Sequence, residues 1–138
     1  MNTDTSDFLA ALLFAMPEND EGEIEHSDKS IHDFSPEFIS GVESFIDGFK
    51  DYLSEREIEI PESKRSFGGN VYFSLSGHGV GFWDGSDTEH LQAPLEAYSG
   101  NRYRFEQIDL SENEKGELDI SILPESIDWY RENLFRVA

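Results

Sequence analysis

The sequence predicts an α+β domain: an antiparallel sheet of two hairpins packed with three to four helices, in one domain spanning residues 1–138. Three observations carry this. Ser35-Pro36-Glu37 opens a long stretch with helical apolar spacing. Val71, Phe73 and Leu75 alternate with Tyr72 and Ser74 ahead of a glycine-rich turn. The predicted elements then follow the order αα-ββ-α-ββ-α, which suits hairpins covered by helices.

Ser6 or Asp7 is placed to cap a first helix, whose apolar residues Phe8, Leu9, Leu12, Leu13 and Met16 end at Pro17. Six acids and no Lys or Arg follow: Glu18, Asp20, Glu21, Glu23, Glu25 and Asp28. Residues 18–30 are therefore expected as a solvated, mobile loop. At Ser35-Pro36-Glu37 a Ser cap, a Pro at the first helical position and an acid facing the dipole start the second helix, expected to run to about Leu53.

On this helix Phe38, Val42, Phe45, Ile46, Phe49, Tyr52 and Leu53 share one face. Glu43, Asp47, Asp51 and Glu55 recur every fourth residue on the opposite face, about 6 Å apart along the axis. Like charges at this spacing cost roughly 0.2–0.5 kcal/mol per pair, which Lys50 partly offsets. A solvent face normally mixes signs, so the row is unusual.

Beyond Pro61 the pattern changes to strand. Residues 71–75 and Phe82-Trp83 are expected as a hairpin across Gly77-His78-Gly79-Val80-Gly81. A short helix over residues 88–98 is expected next, with Leu91, Leu95 and Tyr98 on one face. A second strand pair, 103–110 and 118–122, surrounds Asn113-Glu114-Lys115-Gly116. Pro124-Glu125 starts a last helix carrying Ile127, Trp129, Tyr130 and Leu134.

Thirty acids against ten bases set the net charge at −20. The surplus is uneven: residues 63–105 hold four of each sign, with Lys64, Arg65, Arg102 and Arg104 balancing Asp84, Asp87, Glu89 and Glu96. So negative a field repels nucleic acid and anionic membrane and attracts basic proteins. Eleven Phe, five Tyr and two Trp supply a core that a disordered acidic chain would lack. There is no Cys, which removes disulfides and thiolate metal sites. Asp4 and Asp7 stand where a signal peptide carries Lys or Arg, and no apolar run approaches a membrane span, so the expected location is the cytoplasm.

Catalytic and metal patterns are missing from the sequence. Neither Gly22 nor Gly116 aligns with an acid at the first position of an EF-hand loop. His26, His32, His78 and His90 lack zinc-ligand spacing, and no nucleophile elbow or triad pattern is present. No catalytic residue, metal or cofactor is assigned, and the chain is read as a non-enzyme.

The most information-rich motif is Gly77-His78-Gly79-Val80-Gly81-Phe82-Trp83-Asp84. It resembles the Gly-His-Gly-x-Gly-Phe-Trp-Asp signature of small uncharacterised acidic proteins of phages, prophages and plasmids. The resemblance extends to Ile31-His32-Asp33-Phe34-Ser35-Pro36-Glu37 and to an apolar N-terminal helix followed by an acidic loop, covering about residues 5–98. The linker here is shorter and the part beyond Gly100 longer than in that group. What the resemblance implies is an origin on a mobile element, with no activity to carry over. Physically, the motif reads as a tight connection with Phe82 and Trp83 packing and His78 capping backbone groups. The functional alternatives pair His78 with Asp84 as acid and base, or make the loop an anion cradle served by the four bases of the neutral third.

Two functions follow. In the first, Glu43, Asp47, Asp51 and Glu55, flanked by Glu18, Asp20, Glu21, Glu23 and Glu25, mimic a row of phosphates and inhibit a basic nucleic-acid-binding host protein engaged in defence or repair, with no direct contact to nucleic acid. In the second, the neutral aromatic third is a protein-binding or homodimer surface anchored by Phe82 and Trp83. Burial of Trp83 discriminates between them.

Overall fold

In the computed structural model the described residues are 1–14, 29–63, 66–76, 81–99 and 109–121. Four α-helices dominate them: α1 (Thr3–Phe14), α2 (Pro36–Glu55), α3 (Phe67–Ser76) and α4 (Gln92–Ser99). Short 3-10 turns occupy Ile31–Asp33, Phe82–Asp84 and Glu89–Leu91. The strands among the described residues are β1 (Asp109–Glu112) and β2 (Leu118–Ser121), which form one two-stranded ribbon. The expected α+β architecture, with an antiparallel sheet of two hairpins as a layer, is therefore overturned in favour of a mainly helical fold.

The largest correction is α3. Val71, Phe73 and Leu75 alternate as in a strand, yet they lie in a helix, and Phe82 and Trp83 lie in a 3-10 turn instead of a partner strand. The reason is burial on nearly all sides: Asn70, Val71, Tyr72, Ser74 and Leu75 are all buried. Period-2 alternation identifies a strand only when one face is wet, and here it is an accident of composition. Ser66 begins the helix, its hydroxyl accepting from Gly69 N at 3.2 Å and its carbonyl from Asn70 N at 3.0 Å.

Helix α1 starts earlier than expected. Asn2 Oδ1 accepts from Thr5 N at 2.8 Å, so Asn2 is the cap and not Ser6 or Asp7. Phe8, Leu9, Ala11 and Leu12 are buried, and α1 makes its most extensive contact with α3. Gly68 permits that contact, because a Cβ there would lie 1.9 Å from the Asp4 carbonyl oxygen.

Helix α2 follows its sequence signals. Ser35 Oγ accepts from Phe38 N at 3.2 Å, Pro36 opens the helix, and Phe38, Val42, Phe45, Ile46, Phe49 and Leu53 are buried, with Tyr52 half-buried. Its end is closed by Ile58 N donating to Leu53 O at 2.9 Å and Glu57 N to Ser54 O at 3.1 Å, the two bonds of a Schellman cap. Ahead of it, Ser30 and Asp33 form a capping box, and the Ser30 N–H holds the Asp33 carboxyl below its ordinary value.

Aromatic rings join the helices. Phe49 lies 5.8 Å from Phe67, 6.4 Å from Phe82 and 5.5 Å from Tyr98, measured between ring centroids. Gly48 makes room for Tyr98, whose hydroxyl donates to Phe45 O at 3.0 Å. Burial, with the charge of Asp51 adding to it, pushes the Tyr98 hydroxyl from about 10 up to about 12. The folded chain thus keeps a proton that the unfolded chain releases. This contribution is complete below pH 10 and is lost as pH rises from about 10 through about 12. Denaturant midpoints measured across that window should fall more steeply for the natural protein than for Tyr98→Phe.

The ribbon pairs Asp109 with Ser121, Leu110 with Ile120, Ser111 with Asp119 and Glu112 with Leu118. Its first strand therefore extends past Leu110. Asn113 Oδ1 accepts from Lys115 N and Glu117 N, both at 2.9 Å, and Gly116 takes the left-handed conformation at φ 77°. Leu118 is buried, and its carbonyl accepts from Ser35 N at 2.8 Å. The ribbon is thus an appendage fastened to the start of α2, not a sheet layer. The expected strand over 103–108 and the expected helix from Pro124 lie outside the described residues.

Candidate functional site

The outward face of α2 places the carboxylates where its periodicity requires. Asp47, Asp51 and Glu55 are exposed and Glu43 is half-buried. Lys50 does not offset them directly: its ammonium pairs with Asp4 of α1 and sits 5.5 Å from the Phe67 ring centroid. Arg56 lies 3.5 Å from the Tyr52 ring centroid, donates to Tyr52 O at 3.1 Å and stands 3.8 Å from Glu55. Glu55 is thus weakly compensated, whereas no ion pair involves Glu43, Asp47 or Asp51 among the described residues. One helix face therefore presents three carboxylates that make no ion pair among the described residues. The supplementary acids Glu18, Asp20, Glu21, Glu23 and Glu25 lie outside the described residues.

Of the glycine-rich motif, Gly77, His78 and Gly79 also lie outside the described residues, and with them the suggested pairing of His78 with Asp84. Of the remainder, Gly81 and Phe82 have a packing role. Phe82 is buried, and its N–H donates to Ser74 Oγ of α3 at 2.8 Å. A Cβ on Gly81 would come within 2.6 Å of that same Ser74 hydroxyl, so glycine lets the chain close onto α3. Phe82 is consequently a core residue and not a binding anchor. Trp83, by contrast, is 48% exposed.

Beyond Trp83 the chain makes a tight polar loop. Gly85 N donates to Phe82 O at 3.2 Å, Thr88 N to Gly85 O at 3.2 Å, and Thr88 Oγ1 to Phe82 O at 2.9 Å. Facing this loop is a cavity of about 390 Å³ bordered by Ser63, Asn70, Asp84, Ser86, Asp87 and Thr88. Its described lining includes the carboxylates of Asp84 and Asp87; the suggested anion cradle, built from the glycine-rich loop with Lys64, Arg65, Arg102 and Arg104, lies outside the described residues save Gly81. Asn70 is not picked out by the sequence because it directly precedes residues 71–75, which have the pattern of a strand. The usable signal was the polar turn Asp84-Gly85-Ser86-Asp87-Thr88.

No group of three or more His, Cys, Asp or Glu able to hold a metal occurs among the described residues. No helix among them is long and apolar enough to cross a membrane. No protein-family model matches the chain, and neither a curated protein nor a solved structure matches it.

Proposed function

We propose that the protein is a nucleic-acid-mimicking inhibitor from a phage or other mobile element, acting in the host cytoplasm on a basic DNA- or RNA-binding protein of defence or repair. The observation that supports this is the outward face of α2, where Asp47 and Asp51 are exposed, Glu43 is half-buried, and the nearest lysine in sequence is engaged with Asp4. Carboxylates recurring about every 6 Å of helix axis form a one-sided row of negative charge, sparser than the one phosphate per about 3.4 Å of axis along a DNA strand, and the basic grooves that bind phosphates are built from Lys and Arg. The row spans about 18 Å, enough for the footprint of a few phosphates. The resemblance of residues 77–84 to mobile-element proteins fits the same reading.

The test is capture of host proteins on the immobilised chain with elution by rising salt, beside a variant carrying Glu43→Lys, Asp47→Lys, Asp51→Lys and Glu55→Lys. The natural protein should retain a nucleic-acid-binding enzyme and displace duplex DNA from it stoichiometrically, and the variant should do neither. Equal retention by both proteins, or a complex indifferent to about 0.5 M salt, overturns the proposal, because surface charge pairs are screened at that concentration.

The alternative, a neutral aromatic binding or dimer surface, is favoured by the exposure of Trp83 alone. Its other expected anchor, Phe82, is committed to the core, as are Tyr72 and, in part, Phe67 and Phe73.

A further inference from the structure

Just past the end of α2 the chain carries an open backbone edge. Residues 58–62 form no helix, turn or bend, so the backbone there runs straight. Two bonds fasten it: Ile58 N donates to Leu53 O at 2.9 Å, and Glu59 O lies 3.1 Å from the ring Nε2 of His90. In a straight chain the N–H and C=O of one residue point to the same edge, and successive residues alternate between the two edges. Glu59 and Pro61 therefore share the edge turned toward His90. Pro61 lacks an N–H, but on that side its loss leaves no gap in the other edge. The opposite edge starts at the Ile58 carbonyl, since the Ile58 N–H is spent on closing α2, and continues through the N–H and C=O of Ile60 and of Glu62. None of these groups has a hydrogen-bond partner among the described residues. Ile60 is 41% exposed, and Glu57, Glu59 and Glu62 are exposed as well.

We infer that residues 58–62 accept a strand from a basic partner protein, an extended segment with Lys or Arg at alternate positions, which adds to the outward edge by main-chain hydrogen bonds. The free N–H and C=O groups of Ile60 and Glu62 recur with the spacing of a strand ladder, the pattern to which an extended peptide adds. Ile58 and Ile60 are β-branched, which favours the pleated conformation that pairing needs. Charge selects the occupant. Glu57, Glu59 and Glu62 make no ion pair among the described residues, so basic side chains on the added strand find opposite charges beside them. A second copy of this chain, at a net charge of −20, is repelled. That the strand belongs to the protein drawn by the α2 row rests on the proposed inhibitory function, whereas the edge and its preference for basic strands rest on residues 57–62 alone. The two surfaces are continuous, since the carboxylate row ends at Glu55, the last residue of α2. The row supplies long-range attraction, and the edge fixes orientation through directional bonds.

The experiment is a titration of the ¹⁵N-labelled full chain at low salt with a short, end-blocked peptide alternating lysine and threonine, following backbone amide shifts and hydrogen exchange. Parallel titrations use the same peptide N-methylated at its internal amides, which keeps the charge and removes the donors, and a peptide alternating glutamate and threonine. The lysine peptide should shift the Ile60 and Glu62 amides saturably and slow their exchange at least about tenfold, while the Glu59 amide, on the other edge, gains no protection. The N-methylated and glutamate peptides should give no such protection. Glu62→Pro, which removes an outward donor, should bind the lysine peptide at least about tenfold more weakly than Glu62→Gln, which removes only the charge. The α2 variant with four lysines should still show protection at Ile60 and Glu62, so that loss of mimicry and loss of this edge are told apart. No saturable shift with the lysine peptide, equal binding of the N-methylated peptide, or protection of Glu59 in place of Ile60 and Glu62 would each overturn the assignment. So would protection that rises with protein concentration in the absence of peptide, which would make a second copy the occupant. The exchange pattern of the natural protein decides this even if Glu62→Pro does not fold.

Discussion

Phe49→Ala is expected to lower the free energy of unfolding by about 3–5 kcal/mol. Phe49 is fully buried in the C-terminal half of α2, with the rings of Phe67, Phe82 and Tyr98 around it. Those partners come from α3, the 3-10 turn after it, and α4, so one truncation loosens three junctions at once. The surrounding rings are large and fastened: Tyr98 by its bond to Phe45 O, and Phe82 by its bond to Ser74. They cannot collapse far into the space, which places the cost at the upper end of the range for aromatic truncation. For a chain of this length the shift corresponds to roughly 10–17 °C in Tm. Chemical and thermal unfolding followed by circular dichroism check it, and a loss under 1 kcal/mol would show that Phe49 is not the centre of the core.

Gly68→Ala is expected to destabilise by about 2–3 kcal/mol, against the usual direction of such a change. In an ordinary helix the substitution gains up to about 1 kcal/mol from backbone entropy and propensity. Here the new methyl would stand 1.9 Å from the Asp4 carbonyl oxygen and 2.8 Å from its carbon. Both are main-chain atoms of α1, so no rotamer change relieves the clash, and the two helices must separate. Separation would expose Phe8 and Val71, which are buried in the same core. Gly69→Ala provides the control, since its Cβ meets only the Ser66 hydroxyl at 2.7 Å. Its cost should stay within the range of a weakened cap, about 1 kcal/mol. Equilibrium unfolding of the two variants side by side should separate them clearly, and an equal response would mean that the α1–α3 contact is not limiting.

How much of this was legible in the sequence depended on whether an element has a wet side. Helix α2 was legible because it separates its faces: Phe38 to Leu53 inward, Asp47 to Glu55 outward, with Ser35 and Pro36 marking its start. The turn Asn113–Gly116 was legible because Asn and Gly there perform local work that needs no tertiary partner. Helix α3 was not, because an element buried on nearly every side carries no periodic contrast. Its cap, Ser66, was present but lay among glycines that suggest a turn. The cavity shows the same limit. Asp84 and Asp87 were visible as isolated acids, while Asn70 joins them only because α3 is a helix that brings residue 70 beside the 84–88 loop.

The net charge of −20, its concentration outside the middle third, the carboxylate spacing on α2 and that helix's start are properties of the chain itself. They depend on composition and on contacts within a few residues. Whether residues 67–76 coil or extend was decided by α1, whose backbone fits against Gly68 and whose apolar face covers α3. Which acid Lys50 pairs with was decided likewise, since it turned to Asp4, 46 positions away, and not to the carboxylates of its own helix. Local preferences amount to about 1 kcal/mol per residue at most outside proline, whereas burying one large side chain contributes about 1.5–3 kcal/mol. Where the two disagree, burial prevails, and it acts between residues that only the folded chain brings together.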